Sequence, residues 1–241
     1  MTSDEAISDP ATADARASER QELIESRASG SGARRGISCF VALGDSFTAG
    51  TGCAPGEGWA DRIATGLRRR NPGLTYRNLA ADGATSGQVL GQLREALELE
   101  PDLVTVICGA NDVLRRVRPD AEGYGERLAE LLDRVRSALP GAAILTATSP
   151  EGWRFMELGP RTQARVTTGI RRANALTRAV AADRGVPCLD VVDHPGLADP
   201  ANFSADGLHP SSVGHRRAAT EFAEVLRDEF GIDIDHEGGL R

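Results

Sequence analysis

ISCFVALGDSFTAG, residues 37–50, decides how the rest of the chain is read. Its first half is an apolar run broken only by Ser38, the pattern of a parallel strand covered on both faces. Its second half sets Asp45 and Ser46 directly behind that strand, with Gly44 before them and Gly50 after. Asp45 or Ser46 can simply cap a short helix by accepting from first-turn N–H groups. A phosphate loop does not fit, because no lysine follows the glycines, and a dinucleotide fingerprint fails on spacing. A serine hydroxyl in this place can also be a nucleophile. It is weak unless an imidazole, itself oriented by a third group, stands beside it.

Outward from this strand, helix-like and strand-like stretches alternate. Trp59, Ile63 and Leu67 recur at helical spacing over residues 59–69, and residues 74–80 read as a second strand. A helix capped by Ser86 carries Val89, Leu90, Leu93 and Leu97 on one stripe. Leu103 to Cys108 is a central strand. Leu128, Leu131, Leu132, Val135 and Leu139 form the next helical stripe, closed by Pro140-Gly141. Residues 143–148 are a strand, 161–183 a helix, 186–192 a strand and 212–230 a closing helix. This alternation predicts one three-layer α/β domain with a mainly parallel sheet over residues 37–232. Residues 1–36 hold few large apolar side chains besides Ile7, Leu23 and Ile24, so burial cannot offset their ordering entropy. A disordered tail is expected there, and a short tail over 233–241.

The formal net charge of −7 argues against a nucleic-acid partner, since no basic face accumulates. No apolar segment reaches the ~18 residues that a membrane span needs, and the amino terminus lacks a basic-then-apolar leader pattern. Cys39, Cys53, Cys108 and Cys188 show no metal-ligand spacing. They read as reduced thiols, which places the chain in the cytoplasm.

Four small polar blocks fall just behind strands or before the last helix. They are Gly44-Asp45-Ser46, Asp82-Gly83-Ala84-Thr85, Gly109-Ala110-Asn111-Asp112 and Asp206-Gly207-Leu208-His209-Pro210. Open parallel sheets bind ligands outside the carboxyl ends of their strands, so these blocks converge. His209 is the natural base for Ser46, with Asp206 three residues earlier to fix its tautomer. Gly83 can bring a backbone N–H close to a developing oxyanion, and the Asn111 amide can donate, whereas an ionised Asp112 cannot. Each block alone has a plainer reading as a turn or cap. His215 reads as a packing residue of the closing helix, and His194 and His236 have no companion motif.

Taken together, the blocks resemble the SGNH hydrolases, the GDSL esterases and lipases, over residues 37–230. The resemblance implies a flavodoxin-like sheet of five parallel strands, with Ser46, Asp206 and His209 as catalytic residues. It implies an oxyanion hole from Ser46, Gly83 and Asn111. The usual hydrolase elbow is G-x-S-x-G, with its acid far from the histidine; here Thr48 replaces the second glycine. The implied activity is a serine esterase on a small-molecule ester of short or medium acyl chain, with no metal or organic cofactor. Lysophospholipid, thioester and O-acetyl-sugar substrates stay open, as does a non-catalytic carbohydrate- or lipid-binding module. Asp45, Trp153, Phe155 and Arg115 are candidate substrate contacts. Arg115, Arg116 and Arg118 either favour an anionic substrate or pair with surface acids.

Overall fold

In the computed structural model, which describes residues 36–150 and 155–235, the opening apolar run becomes a strand, β1 (Cys39–Gly44), buried along its whole length. It lies among β2 (Thr75–Asn78), β3 (Leu103–Ile107), β4 (Ala143–Ala147) and β5 (Cys188–Leu189). All pairings are parallel and the order is β2-β1-β3-β4-β5. The absence of alternation in the sequence has its cause here. Val41, Leu43, Val104, Val106 and Ile144 point into one core, while Phe40, Ala42, Leu103, Ile107 and Leu145 point into the other. Both faces are apolar because both are covered by helices.

Short α1 (Ser46–Ala49) leaves β1 at once, and α2 (Trp59–Arg70) packs on one face with the closing helix. The opposite face takes α3 (Ser86–Glu98), α5 (Ala121–Ala138) and α6 (Pro160–Asp183), through side chains such as Leu93, Leu128 and Ile170. Five-residue α4 (Ala110–Leu114) follows β3, and α7 (Ser212–Phe230) ends the fold. In this strand order the chain reverses direction between β1 and β3, and crossovers leave on opposite faces there. Such a switch point opens a crevice at the strand ends. Ser46 follows β1 and Asn111 follows β3, so the crevice lies between two of the polar blocks.

The structure departs from the expected elements in ways that have local causes. The second strand is only Thr75–Asn78, an edge strand with alternating exposure. The fifth strand shrinks from residues 186–192 to Cys188–Leu189. Pro187 has no N–H to give to the ladder. Beyond Leu189 the Asp190 carboxylate accepts from Thr148 Oγ1, Arg178 and the Val192 N–H, and the Val191 N–H goes to Thr148 Oγ1, so side chains replace the ladder. The N-cap of α3 is Thr85, whose N–H donates to Gln88 Oε1, rather than Ser86, which is fully buried inside the first turn. Past Ile232, Ile234 packs on the core and Arg70 pairs with Asp235. Apart from Gly36, the expected disordered tail lies outside the described residues.

Trp59 sits at the start of α2 with no exposed surface and stacks on Phe222 of α7 at 4.1 Å, with Phe47 of α1 beside it. It therefore joins α1, α2 and α7 under the Ser46 turn. Truncation to Trp59→Ala should cost about 3–5 kcal/mol through lost burial and the cavity left behind. Urea unfolding of the variant against the parent measures it.

Candidate active site

At the end of β1 the chain turns sharply, and the two readings of Asp45-Ser46 prove compatible. Asp45 is the N-cap of α1 and accepts the Phe47 N–H at 3.1 Å. Ser46, the first helical residue, is left with its hydroxyl facing the crevice. The strand end is gripped by Gln92 of α3, which accepts from the Gly44 N–H and donates to the Gly44 carbonyl, each at 3.0 Å. Nothing in the local sequence announces that clamp.

His209 reaches Ser46 from the loop before α7. Its Nε2 lies 2.9 Å from Ser46 Oγ and its Nδ1 lies 2.6 Å from Asp206 Oδ2. An Asp206 carboxylate can only accept, so Nδ1 carries the proton and Nε2 faces the serine as the acceptor. The other Asp206 oxygen accepts from Ser204 Oγ and from the N–H groups of Leu208 and His209. Burial works against the charge, but these hydrogen bonds, led by that from the His209 ring, outweigh it and hold the carboxyl well below its usual range. The loop closes on itself as the Ser204 N–H donates to the His209 carbonyl at 2.7 Å. Gly52, at φ 100, lets the loop after α1 press against His209 and Pro210, where a Cβ would strike the Pro210 carbonyl.

The donors gather on the other side of Ser46. Among the described residues, neither the Ser46 N–H nor the Gly83 N–H has a protein acceptor. Gly83 takes a left-handed φ of 71, and Arg115 Nη1 donates to its carbonyl at 2.7 Å, which braces the turn. Asn111 Nδ2 donates to the Ala84 carbonyl at 3.1 Å and stands 3.4 Å from Asp45 Oδ2. Behind both loops, buried Asp112 accepts from the Ser86 N–H, Ser86 Oγ and Arg127. One carboxylate thus ties the start of α3, beside Gly83, to the helix that carries Asn111.

Ser46, Gly83, Asn111 and His209 all line a cavity of about 290 Å³ that runs between the strand ends and α7. Its inner walls are largely apolar: Phe47, Leu189, Val191, Leu197, Ala218 and Phe222. A polar edge is supplied by His194, whose Nε2 lies 3.1 Å from Glu221 Oε1. Of the expected substrate contacts, Asp45 lines the cavity but is mostly occupied in capping α1, and Arg115 bonds the Gly83 carbonyl rather than a surface acid. Phe155 is not on the cavity wall. It packs behind Phe203, which is, at 4.9 Å between rings. Trp153 lies outside the described residues. His215 packs as expected: it accepts the Trp59 N–H at Nδ1 and meets the Thr51 carbonyl through Nε2, so it is neutral, and burial depresses its pKa. Among the described residues there is no metal-ligating cluster of His, Cys, Asp or Glu, and no helix long and apolar enough to cross a membrane.

Burial also lifts the Asp45 carboxyl to about 6, despite the Phe47 N–H and the nearby His209 pulling it down. In the unfolded chain the same group loses its proton near pH 4. The folded state therefore holds the extra proton between these values, and stability falls as pH rises from about 4 to about 6, remaining lowered above. Asp45→Asn keeps a capping oxygen but cannot ionise. Its stability relative to the parent should be near zero at pH 4 and grow to an advantage of at most about 3 kcal/mol above pH 7. Paired urea titrations across this range check the trend.

The model of the GDSL-like Lipase/Acylhydrolase family matches residues 42–217. A GDSL-like esterase of Mycobacterium tuberculosis is 33% identical over 206 residues, covering 81% of this chain and 64% of the relative, so the chain spans less than two thirds of that protein's length. A GDSL lipase of the same organism is 26% identical over 199 residues, covering 78% of this chain and 81% of the relative. Among solved structures, a GDSL-like lipase from Parabacteroides merdae superposes with a TM-score of 0.67 at 18% identity, over 77% of this chain and 94% of that one. At that identity the match speaks for the fold.

Proposed function

Because the chain belongs to the GDSL-like Lipase/Acylhydrolase family, we propose that it is a serine esterase that cleaves carboxylic esters through an acyl-serine intermediate. The observation that carries this reading is the continuous chain of hydrogen bonds from Asp206 through His209 to Ser46, at 2.6 and 2.9 Å. Ser46 Oγ attacks the ester carbonyl carbon as its proton passes to His209 Nε2. Asp206 stabilises the imidazolium that forms and keeps the ring in line. The carbonyl oxygen becomes an oxyanion, met by the N–H groups of Ser46 and Gly83 and by Asn111 Nδ2. The Ser46 and Gly83 N–H groups stand without a protein acceptor before the charge develops, and Asn111 Nδ2 exchanges its long 3.4 Å contact with Asp45 Oδ2 for the oxyanion, so the set favours the transition state over the bound ester. His209 then protonates the leaving alkoxide. Water, deprotonated by the same ring, attacks the acyl carbon and releases the acid and Ser46.

The walls of the cavity support an acyl group of short or medium length. Gly214 and Phe222, both on the cavity wall, are eight residues apart on α7, a run of about 12 Å at the helical rise. A volume of about 290 Å³ sits at the small end of ligand pockets. Acetylated sugars fit this lining poorly, because a sugar brings many hydroxyls that need partners and the inner walls offer few. A binding module without turnover has no use for a base held against a hydroxyl beside unpaired N–H donors.

Ser46→Ala should abolish ester hydrolysis while the protein unfolds at the same urea concentration as the parent. Asn111→Ala should lower kcat by about a hundredfold to a thousandfold with a small change in KM, the signature of one lost oxyanion donor. Steady-state kinetics on p-nitrophenyl butyrate gives both numbers, and full turnover by Ser46→Ala would end the acyl-serine reading. Across p-nitrophenyl acetate, butyrate, octanoate and palmitate, kcat/KM should peak at butyrate or octanoate and collapse at palmitate. A maximum at palmitate would contradict the cavity argument.

A further inference from the structure

Arginines over much of the surface are matched by acids. Arg70 pairs with Asp235, Arg134 with Glu130, Arg178 with Asp190 and Arg184 with Asp133. At the rim beside Gly83 and Asn111, by contrast, arginines without such partners stand together. Leu114 closes α4 on the cavity wall, and the chain continues as Arg115-Arg116-Val117-Arg118, all exposed. Val117 is 86% exposed, against 46% for Val213, the other large apolar side chain that stands out on the described surface. From α6, Arg165 Nη1 donates to the carbonyls of Val113 and Arg116, which places its charge under this loop. Arg161 is one helical turn earlier on the same side of α6.

None of these five arginines has a carboxylate partner among the described residues, and the hydrogen bonds of Arg115 and Arg165 go to backbone carbonyls. The nearby acids are engaged elsewhere. Asp112 and Asp120 face Arg127, Glu122 pairs with Arg172, and Asp82 accepts from Thr51. In a chain of net charge −7, a cationic rim around an apolar tip is against the compositional trend. Such a rim suits a surface that is negative at its face and apolar just beneath.

We propose that the 115–118 loop, with Arg161 and Arg165, docks the protein on an anionic lipid bilayer. Arg116 and Arg118 meet the headgroup phosphates, and Val117 enters the boundary beneath them. The cavity wall at Leu114 is then held close to the bilayer. The acidic remainder of the surface faces away, because the same negative membrane repels it. This proposal concerns where the protein sits, and it stands or falls separately from the hydrolytic reading.

The test is co-sedimentation of the full chain with vesicles of phosphatidylcholine alone or mixed with phosphatidylglycerol, at low and high salt. Partition is expected only on the anionic vesicles, weakening as salt rises. Each basic residue near such a surface contributes about a fivefold factor, so Arg116→Ser with Arg118→Ser should lower partition about twenty-five-fold. Val117→Asp should lower it as well. All these variants should keep parental turnover of a soluble p-nitrophenyl ester, which shows that they are folded. Absence of partition, equal partition on phosphatidylcholine alone, or parental partition by the double arginine variant would each overturn the proposal.

Discussion

The His209 ring is held from both ends, by Asp206 within its own loop and by Ser46 from a position 163 residues earlier in the chain. A single imidazole bridging that separation sets the demands on the rest of the fold. The parallel sheet meets the first demand by setting the ends of β1 and β5, from which Ser46 and the loops leading to His209 depart, on one edge. The second is met by packing around the ring. Gly52 gives His209 and Pro210 room, His215 pins the loop after α1 to the start of α2, and the Trp59–Phe222 stack holds α2 against α7. Without these contacts the three polar groups would be present but out of line, and the general-base role proposed for His209 tolerates little misplacement.

A second layer of polar contacts positions the donors. Gln92 fixes the strand end from which Ser46 turns, and Asp112 joins the Gly83 side of the crevice to the Asn111 side through Ser86 and Arg127. Asp112 is almost wholly buried, which is tolerable only because its oxygens meet a backbone N–H, a hydroxyl and a guanidinium. Asp45 is buried with far less help, and its raised pKa is the consequence. The turn that carries Ser46 therefore bears a stability cost at neutral pH, as backbone and side chains at functional sites often do.

Much of this was legible in the sequence, for identifiable reasons. β1, β3 and β4 were readable because two-sided burial leaves continuous apolar runs, and the long helices because their stripes repeat every three or four residues. Ser46, Asp206, His209, Gly83 and Asn111 stood out through block order behind strands; the structure places Ser46, Gly83, Asn111 and His209 on one cavity, with Asp206 joined to it through the His209 ring. What escaped depends on tertiary pairing. Gln92 and Arg127 look like ordinary polar positions on amphipathic helices, and Gly52 is one of many loop glycines. The short β5 was overextended because an apolar run cannot report that Thr148 and Asp190 will replace the ladder. Phe155, a candidate substrate contact in the sequence, packs on Phe203, and it is Phe203 that lines the cavity.

The central claim is geometric: one hydroxyl, one ring and three N–H donors converge on a single carbonyl. A crystal structure of the protein after reaction with diethyl p-nitrophenyl phosphate tests it most directly. The account predicts phosphorus bonded to Ser46 Oγ, with its non-ester oxygen accepting from the Ser46 and Gly83 N–H groups and from Asn111 Nδ2. An unmodified Ser46, or an adduct whose oxygen points away from Gly83 and Asn111, would contradict it.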